Sequence, residues 1–169
     1  MPELKGSKTQ KNLIESFAGE SQANRRYLAF SKQAEKEGYH QVARLFRAAA
    51  DAETVHAHNH LRALGAIKTT AENLREAISG ETHEFKTMYP AMIDAAQQEG
   101  QKAAERSFTY ANEVEKEHAA LYERALNDPD KLEAVDYYVC SVCGYVSEGE
   151  PPEKCPVCGS KSTVFFKVE

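Results

Sequence analysis

The chain has 169 residues, of which 41% are hydrophobic and 28% charged, as in globular proteins. Its formal net charge is −5 and it has no basic run, which argues against nucleic acid or an anionic membrane as the main partner. No apolar stretch approaches the roughly 20 residues that span a bilayer, and residues 1–11 lack the apolar core of a signal peptide. We therefore expect a cytoplasmic protein.

Glycine and proline divide the first 130 residues into four long segments that are typical of helices. Each segment ends at a glycine or at an asparagine close to a proline, as helices do. The predicted helices cover residues 8–37, 41–64, 71–99 and 101–126.

The composition changes near residue 130, after which valine, phenylalanine, tyrosine, glycine and proline replace the alanines. These residues favour short strands and tight turns. The sequence thus predicts an all-α four-helix bundle over 1–130, a linker near 127–136 and a small β-rich module over 137–169.

The helical part contains an internal repeat. The segment AEKEG at 34–38 returns as AQQEG at 96–100, an offset of 62 residues. The same offset relates two Glu-x-x-His pairs, which are Glu53/His56 and Glu115/His118. Two hairpins with one pattern indicate a duplicated four-helix bundle.

Each predicted helix carries at least one glutamate on the face that should point into the bundle. Stepping by four and three residues traces this face. On the third helix it comprises Leu74, Ile78, Glu81, Phe85, Met88 and Met92, with Glu84 beside Glu81. Over all four helices, the polar members of interest are Glu20, Glu53, His56, Glu81, Glu84, Glu115 and His118.

Any one of these glutamates, taken alone, is most simply a solvated surface residue. Several unpaired carboxylates at one buried level would repel each other, however, and a bound cation removes that cost. A glutamate on every helix together with two Glu-x-x-His pairs is the ligand arrangement of carboxylate-bridged dimetal bundles. Oxygen-rich ligands with one imidazole per metal suit iron or manganese better than zinc or copper.

The four cysteines form a second candidate metal site in the β-rich module. They lie in two Cys-x-x-Cys-Gly turns, here called knuckles, and 11 residues separate Cys143 of the first from Cys155 of the second. The first knuckle contains Cys140 and Cys143, and the second contains Cys155 and Cys158. Four thiolates make a closed tetrahedral site, which from spacing alone suits structural zinc and redox iron equally well.

With these motifs the chain resembles the rubrerythrins, which are ferritin-like di-iron bundles with a C-terminal rubredoxin-like domain. The resemblance rests on FAGES at 17–21, GETHE at 80–84, MYP at 88–90, both Glu-x-x-His pairs and both knuckles. It implies that the di-iron ligands are Glu20, Glu53, His56, Glu81, Glu84, Glu115 and His118. It also implies supporting roles beside those ligands for Tyr27 and Tyr89, and it favours iron over zinc at the four cysteines.

The function implied by the resemblance is that of a non-haem di-iron peroxidase that reduces hydrogen peroxide to water and protects against oxidative stress. Electrons would come from rubredoxin or an external NAD(P)H-dependent reductase and pass through the Fe(Cys)4 centre. No Gly-x-Gly-x-x-Gly motif is present, so we do not expect this chain to bind the nicotinamide itself. The alternatives are a ferroxidase that stores iron, and a zinc-stapled interaction protein without enzymatic activity.

The connection between the second and third helices bears on assembly. Six extended residues reach roughly 21 Å, whereas the second helix spans roughly 37 Å at 1.5 Å per residue. The connection is therefore too short for the long crossover of a ferritin-like bundle within one chain. We predict a homodimer or higher oligomer in which the hairpins are exchanged; a plain up-down-up-down bundle is the alternative.

Overall fold

The computed structural model describes residues 4–129, 132 and 134–169. It confirms the predicted fold class, because long helices come first and a small antiparallel sheet follows. The chain divides into two compact units, Met1–Lys68 and Thr69–Glu169. The described helices are all too short or too polar to cross a membrane.

The first unit is a hairpin of two long helices, α1 (Lys8–Lys36) and α2 (His40–Leu64), which pack against each other. Its buried side chains on α2 are alanines spaced seven residues apart, namely Ala43, Ala50 and Ala57. Small side chains let two helices approach closely. The amide of Asn24 on α1 donates to the Ala50 carbonyl at 2.7 Å and to Oγ1 of Thr54 at 2.9 Å, which fixes the register of the hairpin.

The second unit contains the helices α3 (Thr70–His83), α4 (Tyr89–Gln98) and α5 (Lys102–Asn127). Helix α3 begins with a capping box in which the side chains of Thr69 and Glu72 bond to each other's backbone N–H groups. Both α3 and α4 pack on α5.

A π-helical turn, Glu84–Met88, separates α3 from α4 and interrupts the single helix that was predicted over 71–99. Pro90 explains the interruption, because proline has no N–H and its ring clashes with the carbonyl four residues earlier in an α-helix. The N–H of Tyr89 instead bonds to the Glu84 carbonyl, five residues back. The wider turn shifts the inward face by one residue: Met92, predicted on that face, is 39% exposed, and Ile93 is more buried than Met92.

The β-rich module consists of β1 (Tyr137–Cys140), β2 (Val146–Glu148) and β3 (Phe165–Lys167) in the order β2-β1-β3. Both strand pairs are antiparallel, and Val139 on β1 faces Val146 on one side and Phe166 on the other. The module belongs to the same compact unit as α3, α4 and α5. The division into a bundle over 1–130 and a module over 137–169 stays a prediction.

Candidate metal centres

The first hairpin brings three of the predicted ligands together. Single ligand atoms of Glu20 on α1 and of Glu53 and His56 on α2 all lie within 4.8 Å of one another. The i, i+3 spacing of Glu53 and His56 places both on one face, with Nδ1 of His56 2.8 Å from Oε2 of Glu53. This group, here called the first half-site, is open to solvent, because the His56 side chain is 54% exposed.

The second unit gathers the equivalent group. Ligand atoms of Glu81 on α3 and of Glu115 and His118 on α5 also lie within 4.8 Å of one another. Nδ1 of His118 lies 2.8 Å from Oε2 of Glu115, and the two side chains are only 24% and 16% exposed. The Nε2 atom of His118 is buried and finds no hydrogen-bond partner in the described part of the chain. We call this group the second half-site.

The electrostatics of the second half-site favour a bound cation. Burial and then the charge of Glu115 raise the pKa of Glu81 to about 7. Burial and the same Glu115 charge also raise the pKa of Glu84. A divalent ion would offset this repulsion, and two carboxylates with one imidazole form a donor set suited to iron or manganese. The residues present therefore fit a metal site.

Three further predicted residues lie outside the two half-sites. Glu84, at the start of the π-helical turn, is close enough to Glu115 for its pKa to rise but is not among the clustered ligand atoms. Burial and then the charge of Glu84 raise the pKa of Tyr89. The ring centroid of Tyr27 lies 6.1 Å from that of Phe46 within the first hairpin. The metal-binding or supporting roles of all three stay predictions.

Two neighbours of the second half-site were not predicted from the sequence as functional residues. Burial and then the charges of Glu81 and Glu115 raise the pKa of Tyr122. Its position seven residues after Glu115, on the same helix face, was the available signal. The other neighbour is Val114, which is only 2% exposed. Its Cγ1 lies beside Gly144 of the first knuckle, 3.8 Å from the position that a β-carbon would take there. No sequence pattern indicates that contact.

The four cysteines form one cluster, as predicted. The sulfurs of Cys140 and Cys158 lie 3.7 Å apart, and those of Cys143 and Cys155 lie 3.5 Å apart. These distances exclude disulfides, whose sulfurs lie about 2.05 Å apart. They are close to the roughly 3.8 Å edge of a tetrahedron with metal–sulfur bonds of about 2.3 Å. The cluster therefore fits a tetrahedral metal ion.

The glycine that ends each knuckle shapes the metal site. Gly144 and Gly159 have φ values of 89° and 72°, in the left-handed region that favours glycine. Their N–H groups bond to the carbonyls of Cys140 at 2.8 Å and Cys155 at 2.9 Å. Burial raises the pKa of the Cys158 thiol, but hydrogen bonds with the side chain and backbone of Ser160, together with those to the Cys155 and Cys143 thiols, lower it to about 6.

Comparison with known proteins decides the family. The family model for rubrerythrin matches residues 11–126, and the model for the rubrerythrin rubredoxin-like domain matches residues 138–166. The chain belongs to the rubrerythrin family. Rubrerythrin-2 of Clostridium acetobutylicum is 37% identical, with 96% of this chain and 97% of the relative covered. Nigerythrin of Nitratidesulfovibrio vulgaris is 38% identical, with 93% and 85% covered.

Solved structures give the same result. Nigerythrin in a mixed-valence state is 35% identical with a TM-score of 0.58, and the match covers 98% of this chain and 91% of that chain. The fully reduced, all-ferrous state of nigerythrin gives a TM-score of 0.59 with the same identity and coverage. Rubrerythrins carry a di-iron site and a rubredoxin-like Fe(Cys)4 centre, and this chain supplies matching carboxylate–histidine groups and a four-cysteine cluster.

Proposed function

We propose that this rubrerythrin is a cytoplasmic peroxidase that reduces hydrogen peroxide to water and protects against oxidative stress. The observation that carries the proposal is the presence, in one chain, of two carboxylate–histidine half-sites and a four-cysteine centre. Iron storage needs no centre that returns electrons, so the cysteine cluster favours a repeated redox cycle. Four free thiols also suit a reducing compartment.

The protein's own residues handle protons and ligand orientation. Bound iron would supply electrons and polarise the O–O bond as a Lewis acid. Burial and the charge of Glu115 raise the pKa of Glu81 to about 7 in the metal-free protein, so Glu81 releases a proton when it binds iron as a carboxylate. His118 is oriented by the Glu115 carboxylate, and hydrogen bonding to Glu115 is the main reason why the pKa of His118 is raised.

Electrons would enter at the cysteine cluster and leave it through the first knuckle. Gly144 of that knuckle packs against Val114, which directly precedes Glu115 on α5. The backbone of Gly144 is also among the causes that raise the pKa of His118, so the first knuckle lies beside a predicted iron ligand as well as beside Val114. The electron donor would be rubredoxin or an NAD(P)H-linked reductase, since the chain has no nicotinamide-binding motif.

The active form would be a homodimer with exchanged hairpins. Each compact unit holds three of the seven predicted ligands as a cluster, so neither half-site completes a di-iron centre by itself. Helix α2 ends before Gly65 and α3 begins after Thr69, which leaves five connecting residues. Pairing the first unit of one chain with the second unit of another restores all seven ligands without a crossover.

The distribution of charge supports pairing between unlike units. Met1–Lys68 carries 11 basic and 7 acidic side chains, a formal charge of +4. Thr69–Glu169 carries 10 basic and 19 acidic side chains, a formal charge of −9. Two first units, or two second units, would repel each other, whereas a first and a second unit attract. Large apolar side chains on the first unit also remain exposed, among them Phe30, Val42 and Leu45.

The test is peroxide consumption by the iron-loaded chain supplied with NADH, a rubredoxin reductase and rubredoxin. Glu115→Ala removes a carboxylate of the second half-site and should abolish turnover and lower the iron content. Glu113→Ala, on the exposed side of the same helix, is the matched control and should turn over like the wild type. Oxygen-driven uptake of many irons per chain without peroxide turnover would instead indicate the storage function.

A further inference from the structure

A serine hydroxyl lies against one of the four cysteine sulfurs. Oγ of Ser160 is 3.3 Å from Sγ of Cys158, within hydrogen-bond distance for sulfur. Among the residues that the structure describes, no other hydroxyl makes a hydrogen bond to a cysteine sulfur. The cluster is therefore asymmetric, with a hydroxyl contact on the second knuckle alone.

Backbone bonding holds Ser160 in this position. Its carbonyl accepts from the N–H of Cys155 at 2.7 Å, which ties it to the other cysteine of the same knuckle. An isolated bridge between Lys154 and Lys161 flanks the turn on both sides. These bonds hold the Ser160 backbone beside the knuckle, from where its hydroxyl reaches the Cys158 sulfur.

Metal binding fixes the direction of this hydrogen bond. A cysteine that binds a metal does so as a thiolate and has no proton to give. The serine hydroxyl can both donate and accept. In the iron-loaded protein, Ser160 must therefore donate its O–H to the Cys158 sulfur if the contact is kept.

We propose that Ser160 is a positioning residue that raises the reduction potential of the Fe(Cys)4 centre. Reduction from ferric to ferrous adds negative charge to the sulfurs, so a donated hydrogen bond stabilises the reduced form more than the oxidised form. Hydrogen bonds to the sulfurs are one of the established ways in which proteins set the potential of such centres. The centre thereby becomes easier to reduce by the donor.

The effect of Ser160 on the reduction potential follows from the cysteine centre alone. Only the use of that effect in the catalytic cycle rests on the proposed function. The position of Ser160 suits tuning, because it touches the second knuckle, whereas Gly144 of the first knuckle packs on α5. The potential can thus be changed without altering the contact through which electrons are proposed to leave.

The test is a redox titration of the iron-loaded full chain, monitored through the visible sulfur-to-iron charge-transfer absorption. Ser160→Ala should shift the ferric/ferrous equilibrium about fivefold to tenfold toward ferric, which lowers the potential by about 40 to 59 mV for one electron. Ser160→Thr keeps a hydroxyl and should stay near the wild-type potential. If Ser160→Ala does not bind iron, Ser160→Gly, which also lacks the hydroxyl, is measured instead.

Ser141→Ala is the matched control, because the Ser141 hydroxyl follows Cys140 directly but donates to the Val164 carbonyl at 2.7 Å. The reduction potential of Ser141→Ala should equal that of the wild type. An unchanged potential in Ser160→Ala, or an equal shift in Ser141→Ala, would overturn the assignment. Peroxide turnover is measured separately, so a shifted potential in a chain without peroxidase activity would contradict the proposed function and leave the role of Ser160 standing.

Discussion

Glu81 on α3 and Glu115 on α5 converge in the second half-site, with ligand atoms within 4.8 Å of each other. Burial and the charge of Glu115 raise the pKa of Glu81 to about 7. Near neutral pH the metal-free protein thus keeps a proton on a carboxyl group that metal binding requires as a carboxylate. A bound cation would replace that proton and offset the repulsion between the two carboxylates.

The affinity for a metal ion should therefore fall as the pH is lowered below about 7. Below pH 7 a metal must displace the Glu81 proton, so affinity for Mn²⁺ should fall about tenfold per pH unit for one released proton. Above pH 7 this contribution disappears, because Glu81 is already a carboxylate. Calorimetric titration with Mn²⁺ in buffers of different ionisation enthalpy measures the released protons directly.

Glu81→Gln should bind Mn²⁺ more weakly and lose this part of the pH dependence. Glu76→Gln, an exposed residue of the same helix, should behave like the wild type. The same proton release in Glu81→Gln as in the wild type would show that another group carries the proton.

The stability of the first hairpin should depend on Asn24. Its amide bonds to the Ala50 carbonyl and to Thr54 on α2, so Asn24→Ala removes two hydrogen bonds between the helices. We expect a loss of about 1–3 kcal/mol in the free energy of unfolding, measured by urea denaturation of the metal-free chain. Gln22→Ala, an exposed neighbour on α1, should cost less than about 0.5 kcal/mol.

The inward face of the third predicted helix shows what periodicity can and cannot predict. Glu81 lies in regular α-helix before the interruption, and its ligand atom clusters with those of Glu115 and His118, in agreement with the spacing. Beyond Glu84 the predicted inward face is wrong by one residue. Met92, which was expected on that face, is exposed, and Ile93 is more buried. A fixed step of four and three cannot register the extra residue of a π-helical turn, although Pro90 marks where it occurs.

The pairing of the candidate ligands could be predicted where the two members are local in sequence. A Glu-x-x-His pair lies on one helix face and a knuckle on one turn, so spacing alone brings each pair together. The contact between Gly144 and Val114 joins residues 30 positions apart in two elements. Such packing depends on how the module is oriented on α5, and no local pattern carries that information.

Exchange of hairpins predicts complementation between two inactive variants. We expect Glu53→Ala and Glu115→Ala to be inactive alone, since each damages every site of its own homodimer. After the two are refolded together, an exchanged heterodimer collects both lesions in one site and leaves the other intact. Peroxidase activity should partly return, whereas seven ligands supplied by a single chain would leave the mixture inactive.

Charge attraction between unlike units predicts an effect of salt on assembly. With formal charges of +4 and −9 on the two units, raising the ionic strength from 0.01 M to 1 M shortens the Debye length from about 30 Å to about 3 Å. The dissociation constant of the metal-free dimer, measured by analytical ultracentrifugation, should therefore rise with salt. A dimer whose dissociation constant falls or stays constant over this range would mean that apolar burial alone holds the units together.

The most direct test of the account is to separate the reaction with peroxide from the return of electrons. Cys158→Ala removes one ligand of the four-cysteine centre and leaves both half-sites intact. Chemically reduced, iron-loaded Cys158→Ala should react once with peroxide at the wild-type rate, yet fail to turn over with NADH, rubredoxin reductase and rubredoxin. Turnover of this variant at the wild-type rate with those donors would contradict the proposed path of electrons through the cysteine centre.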